Sequence, residues 1–299
     1  MDGSGLFVGL ITYGGSTFNR HGEATHTIGR IEAAMAAQGL ACTSLISDRD
    51  DYSADVFPIT RSRLLSSALF QAWLEFRWRR YLARGRADSL SSLPRDAAVL
   101  AVMSARRLHS YLGFNPFRAA ARLPGARQVI RLLNIDLSHL RVYRAALQSD
   151  AVGVLVIEDD ARLIDGEAPF EVLQLLLSTL QADKSEFVNL SESISQAELG
   201  VSGILGAPKF PEGFEGIAII ACSRPVTNTV CANLFSRRFV EMLVSDIEKR
   251  GLFPVIPIDW RLNRMIMEEW KSGGLNSTIC TWTTPGIFVQ GSMHPAGSS

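Results

Sequence analysis

Two short apolar runs, residues 6–13 and 41–46, bracket one segment of helical spacing, and this arrangement restricts the fold more than any other feature of the chain. The first run, LFVGLITY, is almost continuously apolar and closes on Gly14-Gly15, the pattern of a strand buried on both faces of a parallel sheet. Residues 24–38 place Ile28, Ile31, Met35 and Ala36 at helical intervals, with Gly39 where a helix-ending glycine belongs. The second run ends in an acidic cluster, Asp48, Asp50 and Asp51. Strand, helix and strand in close succession make a βαβ unit, whose crossover is right-handed and whose strand carboxyl ends form the ligand-binding edge.

A change of composition follows. Residues 61–131 hold fourteen arginines and no lysine, opposed only by Glu75, Asp88 and Asp96. The whole chain balances 30 basic against 30 acidic residues, so the rest is as acidic as this segment is basic. Helical stretches at 64–83 and 97–112, broken at Pro94, Pro116 and Pro124, mark an Arg-rich helical insertion in an α/β chain. The α/β pattern then resumes, with helices expected at 138–147, 169–180 and 258–270, and strands at 153–157, 186–190 and 216–221. A short strand or turn followed by a helix is expected across 231–249. The tail from Gly273 reads as irregular. Three parts result: a βαβ portion (1–60) whose strand ends would suit a nucleotide, the insertion (61–131), and the remainder with an acidic motif and the tail (132–299), where catalytic residues are expected.

Hydrophobic residues at 47% supply a sizeable core, and zero net charge argues against a global nucleic-acid binder. Cys42, Cys222, Cys231 and Cys280 show no CxxC spacing, which speaks against a disulfide framework or a structural zinc site. The N-terminus lacks the basic and long apolar regions of a signal peptide, and no run reaches a membrane span of ~18 to 20 apolar residues, so a cytoplasmic protein is expected.

The sharpest chemical signal is Val154-Leu-Val-Ile-Glu158-Asp159-Asp160, a buried strand running into three carboxylates. Without a cation they repel, and one must hold a proton. A divalent ion with oxygen ligands, Mg²⁺ or Mn²⁺, resolves this and suits a diphosphate-bearing substrate; a solvated acidic turn or helix cap is the alternative. Asp259, in Pro257-Ile-Asp-Trp260, suits a base that deprotonates an acceptor hydroxyl, with a helix cap as its other reading; Glu192 is a second candidate base. Thr12, Tyr13 and Arg20 follow the first strand and Asp48 ends the second, where a base, ribose and diphosphate would sit. Trp73, Phe76, Trp78 and Tyr81 interleave with Arg77, Arg79, Arg80 and Arg84. That helix suits either an anionic membrane surface or a solvated subdomain pairing with the acidic remainder. No helix-turn-helix, RNP or zinc-finger pattern supports nucleic-acid binding.

Residues SHLRVYRAAL (138–147), VLVIEDDARL (154–163), PIDWRL (257–262) and TTPGIFVQGS (283–292) resemble, in this order, the motifs of glycosyltransferase family 25, which includes lipopolysaccharide and collagen galactosyltransferases. The resemblance covers about residues 135–292 and implies a GT-A-like, Rossmann-type mixed sheet flanked by helices, with the Arg-rich segment inserted. It implies a transferase moving a sugar from a nucleotide sugar, a UDP-sugar first, to a glycan or lipid-linked acceptor with inversion. Asp160 then ligates the metal, with Asp159 or Glu158 on ribose or a metal-bound water. Ser138 and His139 join the donor site, and His294 is a candidate last metal ligand against a plain tail histidine. Such an enzyme works in the cytoplasm or peripherally on the inner membrane face. A metal-dependent nucleotidyltransferase, or a non-catalytic membrane- or partner-binding protein on a transferase-like fold, are the alternatives.

Overall fold

β1 (Gly5–Thr12) is buried along its whole length, as its unbroken apolar run requires. It pairs in parallel with β2 (Ala41–Asp48) on one side and β3 (Gly153–Glu158) on the other. The chain is seen in a computed structural model that describes residues 5–12, 21–48, 57–84, 93–115, 117–181, 186–192, 204–209, 217–222, 230–272, 280–284 and 286–290. It forms two units, one of Met1–Arg49, Ser138–Ser245 and Glu269–Ser299, the other of Asp50–Leu137 and Asp246–Glu268.

The first unit is α/β. The strands after β3 are β4 (Ala161–Leu163), β5 (Phe187–Asn189), β6 (Ser191–Glu192), β7 (Ile204–Lys209), β8 (Ala218–Cys222), β9 (Ala232–Ser236), β10 (Cys280–Thr284) and β11 (Phe288–Gln290). Eight strands build one mixed sheet in the order β2-β1-β3-β9-β5-β10-β8-β7. β9 runs antiparallel to both β3 and β5, and β10 is parallel to β5. The carboxyl ends of β2, β1, β3, β5 and β10 therefore share one edge. A smaller sheet, β4-β11-β6, joins the segments that leave β3 and β5 at that edge.

Side-chain alternation along β1 assigns the layers. Leu6, Val8 and Leu10 enter a core with Ile28, Ile31 and Met35 of α1 (His21–Ala37) and with Phe170, Leu173 and Leu177 of α5 (Ala168–Gln181). Gly9 faces the other way, towards α4 (Pro124–Gln148), where a Cβ would come within 2.1 Å of Val142 Cγ1. On that second face Tyr143 of α4 meets Phe235 of β9, and Phe235 stacks on Phe239 of α6 (Arg237–Arg250). Helices thus cover both faces of the sheet, the usual solution for a parallel core.

The tail departs from expectation. Where irregular chain was expected, Thr281, Thr283 and Trp282 lie in β10, and Phe288 to Gln290 form β11. Threonine and tryptophan favour the pleated conformation, but the partners that fix these strands lie about a hundred residues away in sequence, beyond the reach of a local pattern. The expected helix 138–147 is the second half of α4, which begins with Pro124 at its first position, where the missing N–H costs nothing.

The second unit is helical. α2 (Arg61–Arg84) and α3 (Leu93–Leu112) pack antiparallel, Gln71 accepting from the Tyr111 hydroxyl, Glu75 pairing with Arg107, and Arg80 with Asp96 at 3.5 Å. Leu64, Ala68, Tyr111, Leu123, Val129, Leu133 and Val255 form its core. Trp78 and Tyr81 are both only 7% exposed and stack on each other, with Trp78 edge-on to Trp260 of α7 (Ile258–Ser272). The aromatic row of α2 is therefore divided between the unit's interior and its surface, and does not present one face. Among the described residues no helix is long and apolar enough to cross a membrane.

Candidate functional site

The carboxyl edge of the large sheet gathers most of the expected site. Thr12 ends β1 in register with Asp48 at the end of β2, and Ile11 is in register with Glu158 at the end of β3. The chain leaves β1 for β2 on one side and later returns as β3 on the other, the switch point where open α/β sheets bind ligands. Asp159 and Asp160 form the turn between β3 and β4 and are half-buried, like Glu158.

His139 stands beneath this turn, fully buried. Its Nε2 lies 3.4 Å from Glu158 Oε1 and its Nδ1 3.2 Å from the Tyr143 hydroxyl. A carboxylate only accepts, so Nε2 carries a proton towards Glu158, while Nδ1 faces the Tyr143 hydroxyl, which can serve either role. His139 thus orients Glu158 from behind. Ser138, also buried, precedes it on α4.

Gln290 of β11 donates through Nε2 to Asp160 Oδ2 at 3.2 Å. The small sheet that aligns Gln290 with Ala161 also aligns Val289 with Glu192, so the tail draws β4 and β6 together beside the acidic turn. Cys231 lies close by. Burial first, then the Asp160 and Glu158 carboxylates, push its thiol far up, so it stays protonated and inert at neutral pH. Asn189 Oδ1 accepts from both the N–H and the hydroxyl of Ser191, shaping the turn that leads to Glu192.

Asp259 belongs to the helical unit and sits half-buried in the first turn of α7, where the positive helix end favours a carboxylate. Two residues on, the buried Arg261 donates to Asp136 Oδ2 at 3.1 Å, and both side chains are out of solvent. The start of α7 is thereby tied to Asp136 within the helical unit. Tyr13, Arg20 and His294 lie outside the described residues, as do the side chains of Asp48 and Glu192.

Of the groups sequence reasoning missed, Gln290 had a signal, being the glutamine of the closing TTPGIFVQGS segment. Tyr143 had one too, four residues after His139 and so on the same helix face. The Asp136–Arg261 pair had none, since only tertiary contact reveals it.

Among the described residues no group of three or more His, Cys, Asp or Glu side chains is arranged to hold a metal ion. What the turn offers is hard carboxylate oxygen on adjacent residues. That set fits Mg²⁺ or Mn²⁺, which keep several waters and complete their shell with substrate phosphates instead of an all-protein cage. No protein-family model matches this chain, and no curated protein matches it.

Proposed function

We propose that the chain is a metal-dependent glycosyltransferase of GT-A type that moves a sugar from a nucleotide sugar, a UDP-sugar first, to a hydroxyl of a glycan or lipid-linked acceptor. The observation that carries this reading is the acidic turn Glu158-Asp159-Asp160 at the switch point of the sheet, beside Thr12 and Asp48. When bound, Mn²⁺ or Mg²⁺ supplies charge neutralisation for the departing diphosphate. Asp160, steadied by Gln290, is the residue to hold it, with Asp159 as its neighbour. Glu158, fixed by His139, orients ribose or a water. Inverting transfer needs a carboxylate base that takes the proton of the acceptor hydroxyl as its oxygen attacks the anomeric carbon opposite the leaving diphosphate, and Asp259 is the candidate for that base.

Calorimetric titration of UDP with Mn²⁺, and again with chelator, on wild type and Asp160→Asn tests the donor site. Binding that requires both the metal and Asp160 is expected. If UDP, GDP, CDP and dTDP all fail to bind in a metal-dependent way, the turn is structural and the transferase reading fails.

A further inference from the structure

Phe114 and Phe117 are 94% and 84% exposed, the two most exposed large apolar side chains among the described residues. Soluble surfaces rarely present two phenylalanines this way without a use for them. They are not on a loose chain. Gly113, at φ +69, closes α3 with its N–H donating to His109 O. Asn115 Oδ1 accepts from Phe117 N–H, Arg118 N–H donates to Asn115 O, and Arg61 Nη2 donates to both the Phe117 and Arg118 carbonyls at 2.7 Å. The His109 ring backs Phe114, with centroids 4.0 Å apart. The turn is built, and it holds both rings outward.

The chain on either side of it carries charge of one sign. From residue 97 to 135 there is no acidic residue and there are six arginines, of which Arg106, Arg118, Arg122, Arg127 and Arg131 are exposed. In the same unit Glu75, Asp96, Asp136 and Asp246 are each already engaged by an arginine, so they do not offset the excess. A concavity of about 410 Å³ lies against the turn, lined by His109, Ser110, Leu112, Phe114, Asn115 and Arg118. Its lining is mainly apolar, and Arg118 is the charged residue in it that can meet a phosphate-bearing headgroup.

We propose that residues 113–115 and 117–118 form a membrane-docking tip, seating Phe114 and Phe117 among the acyl chains of an anionic bilayer while Arg118 and Arg122 meet its headgroup phosphates. Apolar insertion and basic attraction together are what a stable peripheral contact needs. This places the contact expected of the Arg-rich segment on the α3–α4 turn instead of on the aromatic row of α2. The tip binds bilayers without nucleotide or metal, so its failure and that of the transferase reading are separate results.

The test is co-sedimentation of the full chain with vesicles of phosphatidylglycerol and phosphatidylcholine, or of phosphatidylcholine alone. Wild type pellets with the anionic vesicles only. Phe114→Ser/Phe117→Ser lowers binding about 30-fold, the effect of half-burying two phenyl rings. Arg118→Gln/Arg122→Gln lowers it about 25-fold, at about 5-fold per arginine. Trp73→Ser, on α2, leaves it unchanged. These side chains are exposed, so the variants stay folded. The proposal is overturned if wild type ignores anionic vesicles, if the double Phe variant binds like wild type, or if Trp73→Ser abolishes binding. It is equally overturned if sedimentation velocity shows a wild-type dimer that the Phe variant dissociates while no vesicle binding occurs, since a second copy then covers the tip.

Discussion

Gly9→Ala adds one methyl group at the tightest point between β1 and α4. The new Cβ would lie 2.1 Å from Val142 Cγ1 and 3.1 Å from both Val142 Cβ and Cγ2. Ordinary carbon contacts sit at roughly 3.5 to 4.0 Å, so the helix must retreat by roughly 1.5 Å or the valine must turn. All three side-chain atoms of Val142 lie within 3.1 Å of the new Cβ, and its β-branched, fully buried side chain has little freedom to turn away. The cost expected of such overpacking is about 2 to 3 kcal/mol. Val142→Ala alone leaves a cavity and costs about 2 kcal/mol. The double variant removes the clash with its cause, and should cost about 2 kcal/mol where simple addition gives about 4 to 5, a coupling of about 2 to 3 kcal/mol. Urea unfolding followed by circular dichroism measures this. His139 lies one turn before Val142 on α4, so the retreat also withdraws it from Glu158, and Mn²⁺-dependent UDP affinity should fall in Gly9→Ala and return in the double variant. Additive stabilities across the cycle would refute the claim that this one contact sets the spacing of helix and strand.

His139→Phe keeps the volume under the acidic turn but removes the proton aimed at Glu158; the expected result is a metal-dependent UDP affinity lowered about 10-fold, the lower end for outer partners of a metal site. His139→Gln, which retains a donor, should recover part of it by calorimetry, and equal affinity for all three proteins would remove His139 from the site. Burial, with the Glu32 carboxylate adding to it, pushes the Cys42 thiol from 9.0 up to about 11. The unfolded chain thus gives up this proton before the folded one does, and stability contributed below pH 9 is lost as pH rises towards about 11. The urea midpoint should fall across that window in wild type and fall less in Cys42→Ser.

How far the sequence could be read depends on where each element finds its partners. β1, α1, β2 and β3 sit within a residue or two of expectation, apart from the start of α1, because their burial is written in their own periodicity. β10 and β11 were not legible: they are held by β5, β8, β4 and β6, and without those partners a run of threonines beside glycine reads as loop. The same division holds at the candidate site. Glu158, Asp159 and Asp160 stood out because adjacent carboxylates after an apolar strand carry their chemistry in sequence. The Gln290–Asp160 contact and the His139–Glu158 contact are made by segments 130 and 19 residues apart, so the sequence offers the residues and only the fold offers the pairs.

The two expectations placed on the Arg-rich segment separate on the same physical ground. An amphipathic helix lies on a bilayer only if its aromatic residues share a face that nothing else covers. α2 fails this condition at Trp78 and Tyr81, which pack inside their own unit, while Arg77, Arg80 and Arg107 pair with Glu268, Asp96 and Glu75. Those arginines serve the helical subdomain. The basic residues left without acidic partners among the described residues include Arg118 and Arg122, and these flank the only two phenylalanines in that unit that the described fold leaves almost wholly in solvent. Ion pairing inside the unit thus occupies arginines of α2, and the bilayer contact proposed above falls instead at the turn after α3.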